Sequence, residues 1–331
     1  MTHPSPRGPR RAVLALLAAL LLPAATPTTA QDAYPSRSVR LVVPFVPGGV
    51  TDTSARVVAE YLGRRLAQQV IVDNRPGASG NIGTAQVAGA APDGYTLLLA
   101  FDGTMVINPH VFAKVPFDTM RDFASVGRIG TATLVLAANP ELPARTLGEV
   151  LALSKSRPGG LSYGTSGIGG TPHIAGEQLA QRSGAKLEHV PYKGGGQAIA
   201  DTIGGSIPLV YTAVAGAQGH VKSGKLRAIA VSSARRNGAL PDVPTFIESG
   251  FPDFVAESWV GILAPAKTPP AITARLNAEL NTVLSDPALR ERLATLGIEA
   301  TPGTPEQFRE QMRTDLANYG PIVKAAGIKL E

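Results

Sequence analysis

The sequence has 331 residues, a formal net charge of +6, 44% hydrophobic residues and no cysteine. The lack of cysteine excludes disulfides, thiolate metal sites, thiol nucleophiles and lipid attachment at an N-terminal cysteine. The length exceeds that of a typical single core and predicts two domains. The modest positive excess carries no basic run with interleaved aromatics, which argues against nucleic acid as a partner.

The first thirty residues read as a processing segment. Arg7, Arg10 and Arg11 form a positive head, and residues 12–25 are almost wholly apolar. That run falls short of the ~20 residues needed to cross a hydrocarbon core, which favours a cleaved signal peptide over a signal anchor. Thr28, Thr29 and Ala30 supply small residues for cleavage near Ala30, with Gln31 as the mature start. Arg10-Arg11 leaves both general and twin-arginine export open. The signal holds three arginines and no acid, so the mature chain carries +3. It is expected to be soluble in the periplasm.

Short apolar strands then alternate with helices. Residues 41–43, 69–73 and 95–100 read as strands. Residues 53–67 and 81–90 read as helices, the first with Val57, Val58, Tyr61, Leu62 and Leu66 on one side. This succession implies a mostly parallel sheet with helices on both faces. The pattern recurs with strands at 134–138, 161–163, 187–190, 209–212 and 226–231. Helices at 146–156, 172–182, 197–203 and 217–222 fall between them. A short strand at 260–263 precedes helices at 270–284, 287–296 and 305–317, each starting at or near a proline, as the first helical turn allows. The predicted class is α/β, in two lobes. Residues 31–130 plus 257–331 form lobe 1 and residues 131–256 form lobe 2. The chain crosses between them near 127–133 and near 255–260, a geometry that favours hinge closure.

Two glycine-rich turns each follow a strand and open a helix. The first is Pro44-Phe45-Val46-Pro47-Gly48-Gly49-Val50-Thr51-Asp52. The second is Tyr163-Gly164-Thr165-Ser166-Gly167-Ile168-Gly169-Gly170-Thr171-Pro172-His173. Glycine lets the backbone approach a ligand, and a helix N-terminus offers unpaired N–H groups with partial positive charge. Together they make an anion site that needs no Lys or Arg. Taken singly, either turn is also an ordinary connection with Thr51, Asp52 or Thr171 as a cap. Two further turns are weaker candidates. One is Phe101-Asp102-Gly103-Thr104-Met105, and the other is Tyr192-Lys193-Gly194-Gly195-Gly196, whose lysine either pairs with an anion or is solvated.

Enzyme signatures fail. Asn81 breaks a nucleophile elbow at 77–81, and Leu226 breaks a phosphate-binding loop at 219–226. Gly167-Ile168-Gly169-Gly170-Thr171-Pro172 lacks the last glycine of a dinucleotide fingerprint. The five histidines lack metal-ligand spacing. No cofactor and no metal are expected, and the chain is not expected to be an enzyme.

The ordered motifs are more specific than any one of them. Asp73-Asn74-Arg75-Pro76-Gly77-Ala78, Pro92-Asp93-Gly94-Tyr95, Ile107-Asn108-Pro109, Tyr163-Gly164-Thr165-Ser166-Gly167, His189-Val190-Pro191-Tyr192-Lys193-Gly194 and Leu240-Pro241-Asp242-Val243-Pro244 follow the first turn in order. The mature chain resembles the Bug family, periplasmic solute receptors of tripartite tricarboxylate transporters. The resemblance implies a two-lobed, type II-like periplasmic binding fold that closes on a small organic carboxylate. It also implies a membrane permease of two further subunits as partner, and a monomeric receptor is expected. The ligand residues it implies are Phe45, Val46, Gly48, Gly49, Thr51 and Asp52 on the first turn, and Thr165, Ser166, Gly167 and Gly169 on the second with His173 beside them. Phe101, Asp102 and Thr212 complete the candidate set. Thr212 and Ala213 stand where many members have Asp-Asn, which makes an amine-bearing ligand less expected. A sensor of the same fold and a secreted hydrolase are the alternatives.

Overall fold

The apolar run of β1 (Val39–Val43) is buried along most of its length, as a central parallel strand requires. In this computed structural model residues 1–3, 34–47, 50–192 and 194–329 are described. Most of the expected signal peptide, with its cleavage near Ala30, lies outside those residues, as do Gly48, Gly49 and Lys193.

β1 pairs in parallel with β2 (Val70–Asn74) and β3 (Thr96–Phe101). The helices α1 (Val50–Leu66) and α2 (Asn81–Ala88) connect them, followed by a short helix α3 (Asn108–Val111). The second parallel set is β5 (Leu161–Thr165) between β6 (Leu187–Pro191) and β7 (Leu209–Ala213). Its helices are α4 (Leu147–Ser156), α5 (Thr171–Ser183), α6 (Gly195–Ile203) and α7 (Val214–Lys222). Thr146 and Glu149 form a capping box that starts α4.

Two long strands join the sets. β4 (Phe123–Ala138) runs for 16 residues, far beyond the 134–138 expected. Gly127, Arg128 and Gly130 interrupt its apolar pattern, and two bulges fall there. Gly130 admits the backbone of the short strand β10 (Glu299–Ala300), since a side chain there would meet the Glu299 carbonyl. β9 (Glu257–Pro265) lies antiparallel to β4 and to β3. The two segments expected as crossings, 127–133 and 255–260, are thus largely the paired halves of β4 and β9. Leu134–Ala138 then pairs with β7 and with β8 (Arg227–Val231). The order is β2-β1-β3-β9-β4-β7-β5-β6, parallel towards both ends and antiparallel in the middle. Helices lie on both faces, in the expected α/β class.

The apolar cores divide the same way. One gathers Val42, Leu98, Met105 and Ile107 with Trp259, Leu263, Phe308 and Met312. Two others cover the faces of the second set, around Leu136, Tyr163 and Phe246 and around Val135, Ile199 and Val210. Helices α8 (Pro270–Leu284), α9 (Pro287–Thr295) and α10 (Pro305–Ala325) each begin at a proline. α10 runs past the expected end at 317 and carries Phe308, Met312 and Val323 into the first core.

Candidate ligand-binding cleft

A cleft of about 470 Å³ opens at the carboxyl ends of β3 and β7, where ligands sit in open α/β sheets. Strand register supplies its floor. Phe101 pairs with Val260, Ser258 with Ala132, and Leu134 with Ala213. Opposite residues, and residues two apart on one strand, share a face. These six side chains therefore form one stripe across β3, β9, β4 and β7, and all six line the cleft.

Four helix N-termini close the sides. Thr51 lies in the first turn of α1, and Pro172 is the second residue of α5. Gly195 and Gly196 open α6, while Ala215 and Gly216 belong to the first turn of α7. Each terminus carries unpaired N–H groups and roughly half a positive charge. Among the described lining residues there is no Lys, Arg, Asp or Glu. Backbone dipoles, rather than side-chain charge, thus set the field. A surface depression of about 550 Å³ lies between the end of α1 and the start of β2, at the opposite ends of the strands, and receives no helix N-terminus.

Of the expected ligand residues, Thr51, Phe101, Ser166 and Thr212 line the cleft. Gly48 and Gly49 lie outside the described residues. Val46 is 63% exposed at the tip of the first turn. Phe45 meets Phe101 edge to face, with ring centroids 5.5 Å apart. Asp52 is buried and anchors the turn from behind. Its carboxylate accepts from Arg56 Nε at 3.0 Å and from Asn74 Nδ2 at 2.9 Å, and Asn74 Nδ2 also donates to the Phe45 carbonyl at 3.0 Å.

Asp102 sits beneath the floor rather than on it. It is fully buried, and the hydroxyls of Thr171 and Ser258 both donate to its carboxylate. Burial pushes its pKa up to about 7, against the pull of those hydrogen bonds. Asp102 thereby ties the end of β3 to α5 and β9.

The second turn is also supported from behind. Thr165 Oγ1 donates to the Gly167 carbonyl at 2.9 Å and shares a 2.7 Å hydrogen bond with His189 Nε2. His173 Nδ1 accepts from the Gly169 N–H at 3.0 Å, which fixes a neutral ring protonated at Nε2. Gly169 has φ +75°, a left-handed conformation that suits glycine. The rings of His173 and His189 stack with centroids 3.6 Å apart. Burial lowers the His173 pKa to about 4, and burial together with the neighbouring His173 lowers that of His189 to about 3. Both are neutral at neutral pH. Thr171 is the first residue of α5 and not its side-chain cap, because Gly170 occupies the cap position.

The structure adds residues that the sequence reading left out. Gly195 and Gly196 lie on a turn given little weight. A side chain at Gly195 would press within 3.0 Å of Thr212 Oγ1, so glycine brings the start of α6 against that hydroxyl. Ala215, Gly216 and His220 come from α7, which begins three residues earlier than expected and lacks a glycine-rich signal. Ser258, Trp259 and Val260 come from β9, and Leu296 and Ile298 from the segment after α9. Only register and chain return bring these to the cleft.

A family model described as "Tripartite tricarboxylate transporter family receptor" matches residues 54–328. Protein BugT of Bordetella pertussis is 37% identical over 308 residues, covering 93% of this chain and 94% of that one. Among solved structures, Rpa4515 of R. palustris with adipate superposes with a TM-score of 0.77 at 31% identity, over 89% of this chain and 99% of that one. The periplasmic binding protein BugD superposes with a TM-score of 0.74 at 33% identity, over 90% of this chain and all of that one.

Proposed function

The chain belongs to the tripartite tricarboxylate transporter receptor family, and from that membership we propose that it closes on a small organic carboxylate in this cleft and delivers it to a permease of two membrane subunits. It is a periplasmic solute-binding receptor that partners a transporter, and it is not an enzyme. Export by a signal peptide cleaved near Ala30, and action as a monomer, belong to the same reading.

One observation carries the carboxylate. The N-termini of α1, α5, α6 and α7 converge on a cleft whose described lining holds no Lys, Arg, Asp or Glu. Such a field favours an anion and offers nothing to a cation. The adipate bound by Rpa4515 points the same way. Residues 31–130 with 257–331 act as one lobe and residues 131–256 as the other. The cores, the first of which takes in Ile174 of the other lobe, and the paired strands β4 and β9 support that division.

Thermal-shift screening of the purified mature protein against organic acids tests the reading. A binding carboxylate raises the melting temperature by mass action. A shift produced by neutral or cationic solutes, with none from any carboxylate, overturns it.

A further inference from the structure

We propose that the ligand is an amine-free monocarboxylate with an aryl or branched apolar body, its carboxylate held at the start of α6 and at Thr212. The inference rests on the carboxylate reading above and narrows it to one class of acid.

The anchor comes first. Thr212 is only 8% exposed, yet it lines the cleft, and among the described residues its hydroxyl has no hydrogen-bond partner. A hydroxyl that faces the cleft without a protein partner can donate to a ligand oxygen. Gly195 places the first N–H groups of α6 beside the same hydroxyl. A carboxylate there accepts from both.

The body follows from the floor. Phe101, Val260, Ala132, Leu134 and Ala213 present carbon to the cleft. Ser258 is the polar member of the stripe, and its hydroxyl donates to Asp102 at 2.8 Å. Trp259 likewise donates its indole N–H away from the cleft, to Asp315 at 2.8 Å. Leu296 and Ile298 extend the apolar wall. A second carboxylate laid on this floor loses its water and gains no donor from these apolar side chains. An apolar body gains by leaving water there.

The missing acids exclude the amine. Among the described lining residues no carboxylate faces the cleft, and the four helix N-termini repel an ammonium. An α-amino acid therefore has a partner for only one of its two charges.

Calorimetric titration of the mature protein tests this with phenylacetate, L-phenylalanine, malate, adipate and the uncharged phenylacetamide. Phenylacetate is expected to bind at least tenfold more tightly than the other four. Thr212→Val, which keeps the shape and removes the hydroxyl, is expected to weaken phenylacetate about tenfold. Malate or adipate binding as tightly as phenylacetate overturns the inference and leaves the carboxylate reading intact. L-phenylalanine binding as tightly does the same. Phenylacetamide matching phenylacetate overturns the carboxylate reading itself. Silence from the whole panel, or full affinity in Thr212→Val, also overturns the inference.

Discussion

The hydroxyl of Thr171 donates to the buried carboxylate of Asp102 and so joins the first turn of α5 to the end of β3. Ser258 on β9 donates to the same carboxylate at 2.8 Å. Three chain segments that border the cleft meet at one acid that does not line it.

Asp102 should leave a signature in the pH dependence of stability. Burial raises its pKa from the ordinary carboxylate value to about 7 in the folded state. Between those values the folded protein holds a proton that the unfolded chain lacks. The contribution of this group is fully present below the unfolded value and is lost as pH rises towards about 7, with a slope of at most about 1.4 kcal/mol per pH unit. Asp102→Asn removes the titration. Melting temperatures across pH 4–7 should fall with rising pH less steeply in Asp102→Asn than in the parent.

The stacked histidines act in the opposite sense. Burial lowers His173 to about 4 and His189 to about 3, while the unfolded imidazoles keep their ordinary value near 6.5. Below that value the unfolded chain binds protons that the folded pair refuses. Their contribution is present above about 6.5 and is lost as pH falls towards 4 and then 3. Protonated His173 also ceases to accept from the Gly169 N–H. Hydrogen exchange at Gly169 should accelerate, and ligand affinity should fall, as pH drops below about 5. His173→Phe should retain a stacked ring on His189, lose about 1–2 kcal/mol and bind ligand more weakly at every pH.

Asn74 holds the first turn by two hydrogen bonds from one amide nitrogen, to Asp52 Oδ1 and to the Phe45 carbonyl. Asn74→Ala leaves the buried Asp52 carboxylate with one fewer donor. Denaturant unfolding should show a loss of about 1–3 kcal/mol. Ligand affinity should drop as well, because Phe45 packs on the cleft residue Phe101.

Gly297 lies at φ +75°, and a side chain there would collide with the Ala215 methyl. Its neighbours Leu296 and Ile298 line the cleft, as does Ala215 beside them. Gly297→Ala should cost more than the ~1 kcal/mol of backbone strain alone. It should also weaken ligand binding by moving the wall off α7. Calorimetric melting and ligand titration check the two effects separately.

Much of this protein is legible in one dimension. The apolar runs at Val39–Val43 and Thr96–Phe101 announce buried strands, and prolines mark the starts of α8, α9 and α10. The glycines around Ser166 mark a turn that reaches the cleft, because glycine and helix starts are local signals. The first half of β4 was not legible, since Gly127, Arg128 and Gly130 break its period where bulges and β10 require them.

The roles within the turns needed the third dimension. The sequence reading counts Asp52, Asp102, Thr165 and His173 among the ligand residues; in the structure none of the four lines the cleft, and each hydrogen-bonds to a neighbouring turn, helix or strand. Adjacency in the chain does not say which way a side chain points. The floor of the cleft lies further still from local reading. Phe101, Val260, Ser258, Ala132, Leu134 and Ala213 come from four strands, and only their register puts them on one face. The sequence by itself determined the α/β class, the family and the helix starts that favour an anion. Tertiary structure decided what lies opposite those helix starts, because a surface assembled from four strands spread between residues 101 and 260 has no period in the chain.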